Sequence, residues 1–389
     1  MRLLSTNDLT FKEFFDEDRP PYTILSHTWG SDELTFKEMN KLKPETRDKA
    51  GYQKIFECAE VSKERGFEWT WIDTCCIDKR SSAELTEAIN SMFAWYRESA
   101  QCLVYLSDFK AESGSQGQSW TKDEGSDLGK CRWFSRGWTL QELIAPRRLC
   151  FFDKNWSQFG GTWDLSFMST ISTVTGIPPE MLLITKPLVD KSKLLGKYNI
   201  AQRMSWFGSR TTTRKEDTAY CLLGLFDINM PLLYGEGNKA FARLQEEIIR
   251  RSADRSIFAW RNPFRDGKVS LLASGPQLFA NSNFAMTSDS SFVLQPSFSL
   301  TNRGFQFQES LIPFTEKLQK QYFSVYRRDH WLLCLWNTAR GDLIPSIVLM
   351  RYAQGDLYTR VRTDLIVELR EDQLIPLARE ATLFCIMNR

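Results

Sequence analysis

The sequence predicts an α/β fold for the N-terminal part of the chain, with a small parallel sheet covered by helices on both faces. Through the first 150 residues, short apolar runs typical of buried strands alternate with segments of helical periodicity. The spacing of these runs also fits the right-handed crossovers that connect parallel strands. Such sheets bind ligands beyond the carboxyl ends of their strands, so we expect functional residues there.

Four apolar runs are predicted as the strands of this sheet: residues 22–27, 69–73, 102–106 and 149–152. A helix is predicted over residues 51–65, where apolar and small residues recur every three or four positions before Gly66. Ser81 and Glu84 match a capping box, which predicts a second helix beginning there. A short third helix is expected over residues 135–144, before Pro146.

The remainder of the chain predicts two further regions. Residues 164–255 have mainly helical patterns, and residues 256–389 have short strand-like runs between turns. We therefore expect an α/β domain over residues 1–163, a helical extension, and a β-rich C-terminal domain of sandwich or barrel type. Residues 111–130 are rich in Gly, Ser, Asp and Glu, which predicts a mobile surface insertion.

Composition argues against several classes of protein. The 50 basic and 48 acidic residues leave a formal charge of +2, too little for a bulk electrostatic grip on nucleic acid. The two histidines, His27 and His330, cannot form a histidine-rich metal site, so no metal is expected. The start lacks the apolar core of a secretory signal, and no apolar run approaches the ~20 residues of a membrane span. Nine cysteines, an odd number, fit a reduced setting, cytoplasmic or nuclear, better than a disulfide framework, and we expect a cytoplasmic protein.

The first predicted strand runs directly into residues 26–30 (SHTWG). One interpretation is a functional rim, in which Ser26, His27, Trp29 and Gly30 place a hydroxyl, an imidazole and an indole beside a ligand. The other is a tight turn with His27 pointing inward.

Carboxylates occur in two further segments that we consider as candidate sites. Asp73 and Asp78 stand at the exit of the second strand, where an aspartate can bind a ribose or a metal, or can stabilise the loop. Glu142 lies one helical turn after Trp138 and shares its face. The glutamate can pair with Arg136 or Arg147 at the surface, or face a pocket beside the indole.

Four stretches resemble successive blocks of the fungal heterokaryon-incompatibility (HET) domain: YTILSHTWG, WTWIDTCCIDK, AINSMFAWYRESAQCLVYLSD and CRWFSRGWTLQELIAP. The stretch from NIAQRM to LQEEI resembles the region that follows this domain in many such proteins. The resemblance implies fungal origin and a role in non-self recognition, in which incompatible fused cells die. Many relatives also carry a nucleotide-triphosphatase module and WD repeats, which this sequence lacks, so we expect no built-in sensor.

The HET domain is in turn similar to TIR domains, which implies a TIR-like, flavodoxin-like sheet. Many plant TIR domains begin a helix with W-C-L-x-E-L, whose glutamate is needed for NAD cleavage. Residues 138–143 (WTLQEL) match this pattern, except for threonine in the cysteine place. The resemblance therefore assigns the catalytic role to Glu142, and residues 22–30 correspond to the strand and loop that flank the nucleotide.

NAD cleavage needs little machinery, because nicotinamide departs as a neutral base. A carboxylate near the ribose can stabilise an oxocarbenium-like transition state, and indoles can stack on the rings. Glu142 is then the catalytic residue, with Ser26, His27, Trp29, Gly30, Asp73 and Trp138 binding the nucleotide.

Three hypotheses remain open. The first is a TIR-like effector with NAD as its substrate. The second is a non-catalytic module that signals by assembling into a homo-oligomer. The third is a HET-family enzyme that acts on another small molecule, for example in secondary metabolism. A fourth interpretation is that the motifs SHTWG, WID and RGWTLQE only help to pack the core.

Overall fold

The computed structural model describes residues 1–111, 122–183, 191–263, 270–280, 285–286, 298–301, 304–322, 327, 329–335, 338–339, 343–351, 357–370, 373 and 379–385. The strands are β1 Arg2–Ser5, β2 Phe11–Glu13, β3 Thr23–His27, β4 Trp69–Trp71, β5 Gln101–Tyr105, β6 Leu149–Phe152, β7 Gln158–Gly161, β8 Ala285–Met286, β9 Phe298–Thr301, β10 Gly304–Pro313, β11 His330–Cys334, β12 Thr338–Ala339, β13 Leu343–Arg351, β14 Leu357–Arg360, β15 Val367–Arg370 and β16 Arg379–Cys385. The α-helices are α1 Phe36–Asn40, α2 Ala50–Glu64, α3 Ser82–Glu98, α4 Lys122–Gly129, α5 Arg132–Ser135, α6 Thr139–Ile144, α7 Leu165–Thr175, α8 Pro179–Leu182, α9 Lys191–Leu195, α10 Ile200–Ser205, α11 Asp217–Tyr220, α12 Lys239–Arg251 and α13 Glu316–Gln319. None of these helices is long and apolar enough to cross a membrane.

The chain divides into two compact units. The first unit contains Met1–Lys191 and Ser209–Tyr234, and the second contains Ser192–Gly208 and Gly235–Arg389. Residues 164–255, predicted as a helical extension, contribute to both units.

The first unit is built on a seven-stranded sheet in the order β2-β1-β4-β3-β5-β6-β7. Its four central strands are parallel to one another, which confirms the predicted mixed α/β fold with a mostly parallel sheet. Numbered along the chain, these four lie in the order 2-1-3-4. The outer strands β1, β2 and β7, which flank these four, are antiparallel to their neighbours. They were not predicted, because they are short and depend on pairing with a neighbour.

Helices cover both faces of this sheet, as predicted. In β4, Thr70 contacts Cys58 of α2, whereas the next residue, Trp71, packs edge-on against Trp95 and Tyr96 of α3. Adjacent residues of a strand point to opposite faces, so α2 and α3 lie on opposite sides. The capping box predicted at Ser81 is present in part, since its side chain accepts the Glu84 N–H.

Two local predictions differ from the structure. The helix predicted over residues 135–144 is interrupted between α5 and α6, where the Gly137 N–H donates to the carbonyl of Thr211 and residue Arg136 is extended. The predicted mobile insertion ends in a helix, α4, whose Leu128 is buried and whose Gly129 approaches Val174 of α7. Residues 112–121 of that insertion lie outside the described residues.

The second unit is β-rich in its C-terminal part, as predicted. Its main sheet runs β11-β10-β16-β14-β13-β15, and β11 also pairs with β13. Strands β10, β16, β14, β13 and β11 therefore form a closed, barrel-like ring of paired strands. Ile312, Leu332 and Val348 belong to an apolar core cluster of this unit. One of the strand-like runs in this region, residues 269–273, is not a strand in its described part, residues 270–273. Residue 269 lies outside the described part of the chain.

Candidate functional site

The carboxyl ends of the parallel strands gather most of the predicted residues at one edge of the first unit's sheet. Ser26 and His27 are the last two residues of β3 and are buried, whereas Asp73 follows β4 and keeps 22% of its side chain exposed. Because neighbours along a strand face opposite sides, Ser26 points towards α6 and His27 towards the side of α2. The edge therefore carries two polar clusters, one on each face.

The first, here called the acid cluster, contains Ser26, Tyr96, Trp133 and Glu142, all buried. The Trp133 indole Nε1 donates to Ser26 Oγ at 2.8 Å, and Ser26 Oγ donates to Glu142 Oε2 at 2.5 Å. The Glu142 carboxyl thus faces β3, and the alternative of a surface pair with Arg136 or Arg147 is wrong. Arg136 instead donates to the Thr213 hydroxyl at 3.1 Å.

Burial raises the pKa of Glu142 to about 8, and the nearby Asp73 charge adds to this, while hydrogen bonds with Ser26 and Tyr96 oppose it. Most of the Glu142 population is therefore protonated at pH 7. When Glu142 is ionised, the Tyr96 hydroxyl can donate to the carboxylate, which is why this contact lowers the pKa of Glu142. When Glu142 is protonated, the carboxyl can donate to the Tyr96 hydroxyl, whose own proton then goes to the Leu25 carbonyl at 2.9 Å. In the neutral state, hydrogen bonds run without a gap from the Trp133 indole to the Leu25 carbonyl.

Helix α6, which carries Glu142, is held at its carboxyl end by a buried lysine. Lys191 Nζ donates to the carbonyl of Ile144 at 2.8 Å and to that of Pro146. Burial lowers the pKa of Lys191 to about 7. The Cys102 thiol, from β5, lies 3.9 Å from the Glu142 carbonyl and ties the same helix to the sheet.

The second cluster, here called the rim cluster, contains His27, Glu33, Lys54 and Asp73. Glu33 Oε1 accepts from Lys54 Nζ and, at 2.7 Å, from the Gly30 N–H. His27 Nε2 lies 3.8 Å from Asp73 Oδ1 and 3.9 Å from Glu33 Oε1. Burial, and then the charges of Lys54 and Lys79, lower the pKa of His27 well below its usual value, so the imidazole is neutral.

Trp29 stands at the outer side of the rim cluster and is 46% exposed. Its indole Nε1 donates to Asp73 Oδ2 at 2.8 Å, and the Lys79 ammonium lies 3.5 Å from the centre of its ring. The hydrogen bond and the cation–π contact hold the exposed ring in one position. The exposed ring is thus fixed in a position in which an aromatic group could stack on it.

Two predicted residues have other contacts. Trp138, the residue before α6, hydrogen-bonds the Asp217 carboxylate, so its indole N–H already has a partner within the chain. Asp78 pairs with the exposed Arg80 at 2.6 Å and also accepts the Arg80 N–H. This arrangement fits the loop-stabilising interpretation of Asp78.

Sequence reasoning missed Glu33, Lys54, Tyr96, Trp133 and Lys191 as site residues. Glu33 lies three positions after Gly30, whose N–H it accepts. This short spacing is the one local signal in the sequence that could have identified Glu33. The other four come from helices or from distant segments. In the described part of the chain, no group of three or more His, Cys, Asp or Glu side chains is arranged to hold a metal ion.

Comparisons with known proteins agree with the HET resemblance. Residues 22–130 match the family described as "Heterokaryon incompatibility protein (HET)", and residues 239–325 match a "Domain of unknown function (DUF8212)". The chain is 43% identical over 286 residues to "Vegetative incompatibility protein HET-E-1" of Podospora anserina, a match that covers 71% of this chain and 20% of the relative. The chain therefore spans about a fifth of the length of that relative. No solved structure matches. The HET resemblance of the N-terminal region is confirmed, while its likeness to TIR domains stays a prediction.

Proposed function

We propose that this protein acts in fungal non-self recognition, as an effector whose first unit binds and cleaves NAD. The HET match over residues 22–130 and the identity to a vegetative incompatibility protein support the biological role. The strand order supports the fold-level part of the proposal, because 2-1-3-4 is the start of the flavodoxin-type order. In that order, ligands bind where the first and third parallel strands lie side by side, here at the ends of β3 and β5.

The observation that carries the chemistry is the Glu142 carboxyl, buried at this edge with Ser26 and close to Asp73. In its ionised form, a carboxylate beside the nicotinamide ribose stabilises the positive charge that develops as nicotinamide leaves. Water then adds to the ribose, giving ADP-ribose, nicotinamide and a proton. A low-dielectric setting strengthens this stabilisation.

The experiment is NAD turnover by the full chain at high protein concentration, with release of nicotinamide as the readout. Glu142→Gln should lower the rate by at least ~100-fold, the scale of removing one electrostatic stabiliser. Glu45→Gln, which changes an exposed glutamate, is the matched control and should leave the rate unchanged. If the wild-type chain releases no nicotinamide, the cleavage proposal fails.

One observation favours a second candidate, a module that signals without catalysis. The acid cluster is fully hydrogen-bonded when Glu142 is neutral, which is also what a structural carboxyl in a core requires. This candidate predicts concentration-dependent assembly into a homo-oligomer, measured by light scattering. It also predicts a cellular growth arrest that survives Glu142→Gln, whereas NAD cleavage predicts that the arrest disappears.

A further inference from the structure

The rim cluster contains three buried polar atoms that have no hydrogen-bond partner among the described residues: His27 Nε2, Glu33 Oε2 and Asp73 Oδ1. An unpaired buried polar atom destabilises the folded state, so three of them in one place call for a physical reason. The His27 side chain is 1% exposed, and its Nε2 lies near both carboxylates. The three groups come from the end of β3, the loop that follows it, and the end of β4.

The distances fit a group that sits between these side chains. His27 Nε2 is 3.8 Å from Asp73 Oδ1 and 3.9 Å from Glu33 Oε1, which is too far for a direct hydrogen bond. One hydroxyl oxygen placed about 2.8 Å from two such atoms hydrogen-bonds to both. One such oxygen can therefore bridge His27 Nε2 and Asp73 Oδ1, and a neighbouring hydroxyl is available to Glu33 Oε2, on the carboxylate whose other oxygen lies 3.9 Å from His27 Nε2.

The charges indicate what kind of group belongs there. Glu33 is paired with Lys54, and the Lys79 ammonium stands near Asp73. With a neutral His27, two carboxylates are balanced by two ammonium groups. A phosphate would be repelled by the carboxylates and a cation by the lysine ammonium groups. A neutral hydroxyl group is repelled by neither.

We infer that the rim cluster binds a vicinal diol of a sugar, the ribose of a nucleotide. Asp73 Oδ1 and Glu33 Oε2 accept the two hydroxyl protons, and His27 Nε2 bonds to one of the hydroxyl oxygens. Trp29, fixed to the other oxygen of Asp73, stands beside the diol and stacks on the aromatic ring that the ribose carries. The identification of the sugar as a ribose rests on the proposed function, whereas the diol itself rests on the geometry.

The test is calorimetric titration of the full chain with ADP-ribose, which has both riboses of NAD and no nicotinamide to lose. Two analogues, each lacking the 2′-hydroxyl of one ribose, are titrated in parallel. One of them should bind at least ~10-fold more weakly, because a site built for a hydroxyl is left with unpaired groups when it is missing. Equal affinities for all three, or no binding by any of them at millimolar concentration, would overturn the diol site.

Variants tie the diol to these residues. Asp73→Asn and Glu33→Gln keep the shape of the site, and at least one of them should reduce the penalty for the deoxy analogue several-fold. Asp127→Asn and Glu45→Gln change exposed carboxylates and should keep the full penalty. The same penalty in all four variants would overturn the assignment.

The outcomes separate this inference from the proposed function. ADP-ribose binding with a deoxy penalty, but without NAD cleavage by the same protein, retains the diol site and overturns the cleavage. Cleavage of NAD together with no deoxy penalty retains the function and overturns the diol site.

Discussion

Each unit of the protein buries an ionisable side chain, and the two units compensate for its loss of hydration in different ways. In the first unit, Glu142 sits in a hydrogen-bonded chain that is complete when the carboxyl is neutral. In the second unit, Arg360 is 1% exposed, and its guanidinium donates to the carbonyls of Phe258 at 2.9 Å and Trp260 at 2.6 Å. The Trp260 ring covers the guanidinium at 3.9 Å.

The difference separates a group that is mostly neutral at pH 7 from one that is charged at that pH. Burial lowers the pKa of Arg360 to about 9, so the guanidinium is still charged at pH 7, whereas Glu142 titrates near pH 8. Arg360 therefore acts as a fixed clamp on backbone carbonyls. Glu142 lies at the edge of the sheet where we propose that a ligand binds, and it can switch between an acid and a carboxylate.

The largest effect is expected from Arg360→Met. The two carbonyls of Phe258 and Trp260 would lose their donors inside the core, at about 1–3 kcal/mol each. We expect the second unit to lose on the order of 3–5 kcal/mol, measured by urea unfolding with hydrogen exchange at residues 258–260. The stability of Arg360→Lys should lie between that of the wild type and that of Arg360→Met, because one ammonium lacks the forked guanidinium that reaches both carbonyls. A loss below ~1 kcal/mol would show that the clamp is not needed.

Glu142→Gln should change how the stability of the first unit depends on pH. The folded pKa, about 8, is above the value of 4.5 for an exposed glutamate, so the folded state holds the proton more tightly than the unfolded state. In the wild type, the contribution of this group to the free energy of unfolding is fully present below pH 4.5 and is lost as the pH rises to 8. The glutamine variant should lack this decline. At pH 9 it should therefore be more stable than the wild type by roughly 1–3 kcal/mol. Identical pH profiles for the two proteins would contradict the raised pKa.

Lys191→Met tests the buried titratable group of α9 that binds the carboxyl end of α6. The folded pKa, about 7, is below the ordinary 10.5, so the unfolded state holds the proton more tightly. The wild type should therefore gain stability from this group as pH rises from 7 to 10.5. The methionine variant should lose that gain, on the order of 1–2 kcal/mol, in the same unfolding series. A rise that persists in the variant must come from another group.

The most conservative change is Ser26→Ala. The Trp133 indole would lose its acceptor and Glu142 one donor, and an unpaired buried group costs about 1–3 kcal/mol. Because the Ser26 hydrogen bond lowers the pKa of Glu142, its removal should move the midpoint of the pH–rate profile for NAD cleavage upwards. Thr139→Ser, which keeps a hydroxyl on α6, serves as the control. A downward shift in the alanine variant would contradict the direction of the Ser26 hydrogen bond.

Much of the first unit could be predicted because its signals are local. The four parallel strands are apolar runs, and α2 buries the small and apolar residues that the spacing selected, such as Ile55 and Ser62. The short strands β1 and β2 carry no such signal, since their stability depends on pairing next to β4. The break between α5 and α6 was missed because the acceptor of the Gly137 N–H is 74 positions away, at Thr211.

The site divides in the same way. Residues 26–30 and Asp73 were placed at the rim because strand ends in a parallel sheet share one edge. The burial of Glu142 was left open, because helical spacing puts its side chain on a face without saying what that face meets. Its partner Ser26 is 116 positions away in sequence.

By itself, the sequence determined the fold class, the family resemblance and the edge at which functional groups gather, because strand and helix periodicity are properties of neighbouring residues. Only the tertiary structure decided the chemical state of those groups. The raised pKa of Glu142, the neutral His27 and the unpaired oxygens of Glu33 and Asp73 depend on how much water the packed chain excludes and which charges it brings near. These quantities are set by segments that are distant in sequence.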